Sequence, residues 1–222
     1  MSRDGTEQLL RELARDVAPV RPIPRLRAAT AGVLALWAIV VLLLWMQGSP
    51  PAGAARTIPW QAPGYGAVLV GLAVIAGGAT LAALAGAVPG REWASGASAC
   101  VALLGLLLAV GGGLIAVAEA GSRGAAEWSS SAACIGHAAA LAFLPALAAL
   151  LFLARGYAGR PVLSAALGVT GTVALGAVVV HVSCRAGGGL HMLLGHALAP
   201  LLLGFLVAAP IGLVIRRWRR GR

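Results

Sequence analysis

The sequence predicts an all-α protein, a polytopic bundle of six transmembrane helices. Hydrophobic residues make up 59% of the 222-residue chain and charged residues only 11%, whereas soluble proteins are about 25% charged. The long uncharged stretches are continuously apolar. Strands of a membrane β-barrel would instead alternate between apolar and polar residues. These observations favour an integral membrane protein built from helices.

Six uncharged stretches are predicted to span the membrane, because a helix of about 20 residues crosses about 30 Å of hydrocarbon. Turn-rich segments separate them, and none is long enough to form another domain. A cleaved signal peptide is the alternative for the first stretch, but its apolar run is longer than the usual 7–15 residues or so. The predicted spans are Ala28–Met46, Ala67–Val88, Ala97–Ala118, Ala132–Leu153, Val162–Val182 and Leu190–Ile215.

The arginines predict the orientation of the bundle. All 17 basic residues are arginine, and 14 of them lie in the N-terminal segment, the second and fourth loops and the C-terminus. Cytoplasmic segments carry such an excess of basic residues, so both termini are predicted to be cytoplasmic. The net charge of +10 is then chiefly a signal of topology, and we expect no direct contact with nucleic acid. Three regions follow: a cytoplasmic segment (1–27), the transmembrane domain (28–215) and a basic cytoplasmic tail (216–222).

The segment 1–27 is predicted to contain an amphipathic helix and a proline-rich linker. An apolar stripe recurs at helical spacing, and an isolated helix of about 12 residues needs a partner to be stable in water. The partner is the lipid interface, the protein's own cytoplasmic loops, or a soluble protein with a groove for the helix. The mixed charges on the polar face modestly favour a protein. The stripe consists of Leu9, Leu10, Leu13 and Val17.

Six of the seven cysteine and histidine residues are predicted to lie at the outer ends of the last three spans. A Cys-x-x-His pair opens the fourth span and a His-x-x-Cys pair closes the fifth. On antiparallel neighbours this mirrored order places the two thiols at one depth and the two imidazoles a turn deeper. The remaining two histidines are five residues apart and cannot share a face of an ideal α-helix. The candidate residues are Cys134, His137, His181, Cys184, His191 and His196.

Several chemistries fit these six residues. Two thiolates and two imidazoles can bind Zn²⁺ or another soft divalent metal ion. A Cys134–Cys184 disulfide or a pair of redox-sensitive thiols is also consistent with them. A purely structural alternative has the histidines bonded to backbone groups or to Glu119, with the cysteines as small packing residues. There is no Walker loop or paired-carboxylate site, so we expect no enzymatic activity, and the spans have too few acidic groups for an ion-coupled transporter.

Two sequence features together resemble the NrsF-type (negative regulator of sigma F) bacterial membrane anti-sigma factors. The first is the segment 9–22, which reads LLRELARDVAPVRP. The second is a pair of cysteines at the ends of the fourth and fifth spans, with Cys184 beginning a Cys-x₆-His-x₄-His pattern. The resemblance extends over nearly the whole chain, including its six spans.

The resemblance implies a protein of the bacterial inner membrane that holds an extracytoplasmic-function sigma factor through cytoplasmic segments and releases it on an outside signal. Cys134 and Cys184 would then be sensor thiols facing the periplasm. The helix that carries Leu9, Leu10, Leu13 and Val17 would contribute to sigma-factor binding. The signal could be a metal, an oxidant, or an oxidant derived from light. A membrane metal-binding or redox protein without a sigma partner is the alternative.

Overall fold

The computed structural model describes residues 5–8, 11–12, 25–46, 63–120, 125–156, 159–184 and 188–220, and its regular structure is helical throughout. Within these residues six helices are long and apolar enough to cross a membrane, which confirms the predicted helical spans. Five are continuous α-helices: α1 (Leu26–Met46), α2 (Pro63–Ala85), α3 (Glu92–Ala120), α4 (Ala125–Arg155) and α5 (Pro161–Ser183). The sixth, α6, is α-helical over Gly189–His191, π-helical over Met192–Leu198 and α-helical again over Ala199–Arg220.

Helix α4 begins at Ala125, well before the predicted start at Ala132. The polar run before the apolar stretch is also helical, and its hydroxyl groups bond to the helix's own backbone. The Oγ atoms of Ser130 and Ser131 donate to the carbonyl of Glu127 at 3.0 and 2.6 Å. Serine side chains bonded in this way are tolerated within a helix. Cys134 therefore lies inside α4 rather than in its first turn.

Helices α2 and α3 pack closely along a seam of glycines. A Cβ atom added to Gly64 would lie 2.7 Å from the carbonyl oxygen of Gly112, and one added to Gly71 would lie 2.6 Å from that of Gly105. The two helices are antiparallel, since the contacts move to lower numbers on α3 as they move to higher numbers on α2. Small residues allow this close approach of helix backbones, which is a principal source of helix association in lipid.

The bundle has a buried centre and a broad apolar exterior. Helices α2 and α5 are the most buried of the six, whereas α1 is the least. Large apolar side chains such as Leu104 and Leu107 on α3 and Phe205 and Leu206 on α6 are more than half exposed. Such a surface is unlike that of a soluble protein and suits contact with lipid. The chain is therefore a multi-pass membrane protein.

The first turns of α6 are held between α3 and α4, and its later turns pack on α5. Gly189 has no room for a side chain, because an added Cβ would collide with the backbone of Ala116 and Val117 on α3. This packing places the start of α6 beside the start of α4 and the end of α5. The sequence predicts the six candidate cysteine and histidine residues in this part of the bundle.

The apolar stripe of the N-terminal segment lies outside the described residues. Its neighbours at 5–8 and 11–12 are helical and exposed. Arg11 Nη2 and Glu7 Oε2, one helical turn apart, are separated by 3.7 Å on this exposed surface.

Replacing Gly71 by alanine tests the α2–α3 seam. We expect Gly71→Ala to lower the free energy of unfolding by about 1–3 kcal/mol, because the two backbones must separate to admit the methyl group. Gly77→Ala is the matched control, since nothing lies within 4 Å of a Cβ added there. The measurement is unfolding of the purified protein in detergent micelles. Equal stability of the two variants would contradict close packing at Gly71.

Candidate metal centre

Four side chains bring their ligand atoms together at one end of the bundle. Cys134 comes from α4, Cys184 directly follows α5, and His191 and His196 belong to α6. The two sulfurs and one ring nitrogen of each histidine all lie within 4.8 Å of one another. We call these four residues the Cys₂His₂ cluster. Three separate segments of the chain therefore meet at one potential ion site.

The distances within the cluster resemble the edges of a tetrahedral coordination shell. The Sγ atoms of Cys134 and Cys184 are 3.5 Å apart. His191 Nε2 lies 3.1 Å from Cys184 Sγ, 3.7 Å from Cys134 Sγ and 3.2 Å from Nε2 of His196. Tetrahedral Zn²⁺, with Zn–S of about 2.3 Å and Zn–N of about 2.05 Å, gives edges of about 3.8 Å for S–S, about 3.6 Å for S–N and about 3.3 Å for N–N. The residues thus fit such an ion.

The two histidine rings of the cluster are buried and face each other. His191 is 1% exposed and His196 2%, and their Nε2 atoms are only 3.2 Å apart. Two lone pairs at this distance repel, so a proton or a metal ion must lie between the nitrogens. The Nδ1 atom of His196 is buried without a hydrogen-bond partner. The two cysteines are half-buried, so an ion could reach the site from their side.

A π-helical segment brings His191 and His196 together. In an α-helix, residues five apart differ by about 140° in azimuth and face different neighbours. In α6 the chain is π-helical from Met192 to Leu198, and the i→i+5 pattern of a π-helix brings His196 beneath His191. Such segments are rare and frequent at functional sites. An ideal α-helix would separate the two histidines, as predicted. The π-helical segment is the local change that brings them together.

His137 and His181 lie outside the Cys₂His₂ cluster. His137 is exposed, and its Nδ1 lies 2.7 Å from the carbonyl oxygen of Ala133 in its own helix. The predicted depth of His181 relative to Cys184 assumes that both lie on one helix, but α5 ends at Ser183 and Cys184 is extended. The two thiols do come together, as the mirrored spacing predicts.

His181 is buried beside the cluster and bonded to α2. Its Nε2 lies 3.2 Å from the carbonyl oxygen of Tyr65, and the Tyr65 hydroxyl donates to the His181 carbonyl at 3.3 Å. The two rings stack with centroids 4.2 Å apart, and the His181 ring meets the His196 ring edge-on at 4.9 Å. His181 therefore packs against the ring of His196. Its contact with a backbone carbonyl is what the purely structural interpretation of the histidines predicts.

Four residues around the cluster were not among the predicted site residues: Tyr65, Glu127, Ser130 and Ser131. Glu127 is 3% exposed, and its Oε2 accepts a hydrogen bond from the backbone N–H of His191 at 2.9 Å. Ser130 and Ser131 approach the ring of His191. The polar run 127–131, directly before an apolar stretch, is a signal that could have identified three of the four.

The thiol of Cys184, just beyond the end of α5, is placed to ionise. Hydrogen bonding from the Cys134 thiol lowers the pKa of Cys184 below its ordinary value, although partial burial acts in the opposite direction. The thiolate is the form of cysteine that binds metals and reacts with oxidants. The two cysteines are not joined in a disulfide.

Comparisons with protein-family models, with curated proteins and with solved structures gave no match. The chemistry of the Cys₂His₂ cluster and the sequence patterns are therefore the grounds for a functional proposal.

Proposed function

We propose that the protein is a membrane-embedded regulator that binds one divalent metal ion of borderline or soft character, such as Zn²⁺, in the Cys₂His₂ cluster. The convergence of four ligand atoms within 4.8 Å carries this proposal. It joins residues from α4, from the end of α5 and from α6, which lie up to 62 positions apart in the sequence (Cys134 to His196).

The donor set favours one class of ion. Thiolate and imidazole ligands suit Zn²⁺ and softer metals, whereas Mg²⁺, Ca²⁺ and Mn²⁺ prefer oxygen. Two thiolates and two neutral imidazoles around a divalent ion also give a net charge of zero. This balance matters because an uncompensated charge inside an apolar bundle is costly. The cluster is therefore suited to holding a divalent ion at small electrostatic cost.

The distribution of arginines supports an outward-facing cluster. Arg91 precedes α3, Arg155 ends α4 and Arg216 lies near the end of α6, so these residues are at the helix ends remote from the cluster. Basic residues mark the cytoplasmic side of membrane proteins. The Cys₂His₂ cluster would then face the periplasm of a bacterial inner-membrane protein, where it could meet an external metal ion or oxidant.

The proposed output is a sigma factor held on the cytoplasmic side. The support is the resemblance of segment 9–22 to the NrsF-type anti-sigma factors and the apolar stripe within that segment. Helix α6 carries His191 and His196 at one end and Arg216 at the other, so a change of packing at the cluster can reach the opposite face along one element. A ligand shifts such an equilibrium only by its difference in affinity for the two states.

A redox protein without a sigma partner is the second candidate. The facing thiols of Cys134 and Cys184, 3.5 Å apart, favour it. A two-electron oxidant of thiols, such as diamide, would remove one hydrogen atom from each and join the sulfurs in a disulfide. This would destroy two of the four metal ligands, so oxidation and metal binding would be mutually exclusive.

Titration of the purified protein with Co²⁺ tests the metal site. We expect one ion per chain, with sulfur-to-cobalt charge-transfer absorbance. Cys134→Ser, Cys184→Ser and His191→Gln should each weaken binding by at least about 100-fold, since each removes a ligand. Cys100→Ser and His137→Gln are matched controls, because both residues are exposed and outside the cluster. Absence of binding, or equal loss in the control variants, would contradict the proposal.

Co-purification tests the sigma-factor partner. A double substitution, Leu9→Asp with Leu13→Asp, places charges on the apolar stripe and should reduce recovery of a co-expressed extracytoplasmic-function sigma factor at least about tenfold. Arg11→Gln, at an exposed position of the same segment, should leave recovery unchanged. Recovery of equal amounts with the double variant would show that this stripe is not the docking surface.

A further inference from the structure

Both nitrogens of the His191 ring have defined neighbours. The Nε2 atom faces the other three members of the Cys₂His₂ cluster, as described above. The Nδ1 atom lies 3.1 Å from the Oγ of Ser130 and 3.1 Å from the Oγ of Ser131. Which ring nitrogen carries the proton therefore decides whether His191 can present a lone pair to a metal ion.

The contacts of the two serine hydroxyls point to the position of that proton. Each serine hydroxyl has one hydrogen to donate. The Oγ atoms of Ser130 and Ser131 both donate to the carbonyl oxygen of Glu127, at 3.0 and 2.6 Å, and a carbonyl oxygen can only accept. With their hydrogens directed at this carbonyl, the two hydroxyls present only lone pairs to His191, and a proton on Nδ1 is the arrangement that satisfies both contacts. Nε2 is left as the nitrogen with a lone pair for the cluster.

Glu127 holds the backbone of His191 in place. Its buried carboxylate accepts from the N–H of His191, one of the donors in the first turn of α6 that have no partner within the helix. A negative charge at a helix N-terminus is also favourable. Gly188 makes room for this contact, since its φ is +146° and an added Cβ would collide with the Glu127 carboxylate. The ring and the backbone of His191 are thus both held by α4.

We propose that Glu127, Ser130 and Ser131 are positioning residues that hold His191 with its proton on Nδ1 and its Nε2 turned to the thiols, ready to bind a divalent metal ion. The inference rests on the metal site proposed above. Outer partners of a metal-binding histidine fix its tautomer and orientation, and their loss typically costs about 10–100-fold in metal affinity.

Removal of the two hydroxyls tests the role of the serines in metal binding. Ser130→Ala with Ser131→Ala should weaken Co²⁺ binding about 10–100-fold while leaving all four ligands in place. Ser131→Thr in the Ser130→Ala background keeps one hydroxyl and should recover much of that affinity. Thr30→Ala is the matched control, because it removes a hydroxyl bonded to its own helix at 3.0 Å in α1, away from the cluster. Unchanged affinity in the double alanine variant would overturn the proposal.

The tautomer itself can be measured without metal. Nitrogen-15 NMR of the metal-free protein, labelled at histidine and assigned with a His191→Gln variant, should show the proton of His191 on Nδ1. A proton on Nε2 alone would overturn the proposal. This measurement uses the wild-type chain, so it decides the tautomer even if the alanine variants fail to fold. A wild-type protein that binds no metal but carries the Nδ1 proton would refute the proposed metal site and leave the positioning of His191 intact.

Discussion

His191 makes the contacts on which the geometry of the cluster depends. Its backbone N–H is bonded to Glu127, its Nδ1 faces two serine hydroxyls of α4, and its Nε2 faces Cys134, Cys184 and His196. One residue thereby links α4, the end of α5 and the start of α6. Among the described residues the interior is mostly apolar, and other buried polar groups bond elsewhere: Thr172 within its own helix and His181 to α2. The position of the ring therefore decides where the other three ligand atoms can meet.

The apolar bundle explains why such a small set of polar residues matters. Close glycine packing of α2 on α3 and the burial of α2 and α5 provide a scaffold with few charges. Buried polar groups in such surroundings are costly unless they are bonded or neutralised. A divalent ion bound by two thiolates satisfies this requirement, and the hydrogen bonds of Glu127 and the serines satisfy it for the outer partners. The apolar packing of the helices and the hydrogen-bonded, charge-balanced site thus both follow from the cost of burying unpaired polar groups.

Hydropathy predicted the six helices well because crossing a membrane demands length and apolar composition, which are local properties of the sequence. Helix α4 extends beyond the predicted span and begins at Ala125, and the hydroxyls of Ser130 and Ser131 in this extension bond back to the helix. The spacing of cysteines and histidines predicted that two thiols and several imidazoles would meet at one end. It could not select among the histidines, because that choice depends on which face of each helix meets a neighbour.

Two features of the site could not be predicted from local sequence patterns. The π-helical segment Met192–Leu198 has an ordinary apolar composition, and it packs between α3 and α4. The inward position of Glu127 depends on a residue 64 positions later, and an acidic residue beside a predicted loop is usually solvated. Such long-range pairings are set by tertiary packing, which a single sequence does not display.

The coordination of a bound ion is the most direct test of the central claim. X-ray absorption spectroscopy of the Zn²⁺-loaded protein should show two sulfur neighbours at about 2.3 Å and two nitrogen neighbours at about 2.0–2.1 Å. That result would match the donor set of Cys134, Cys184, His191 and His196. A shell of oxygen and nitrogen without sulfur would contradict it, because the ion would then lie away from the two thiols.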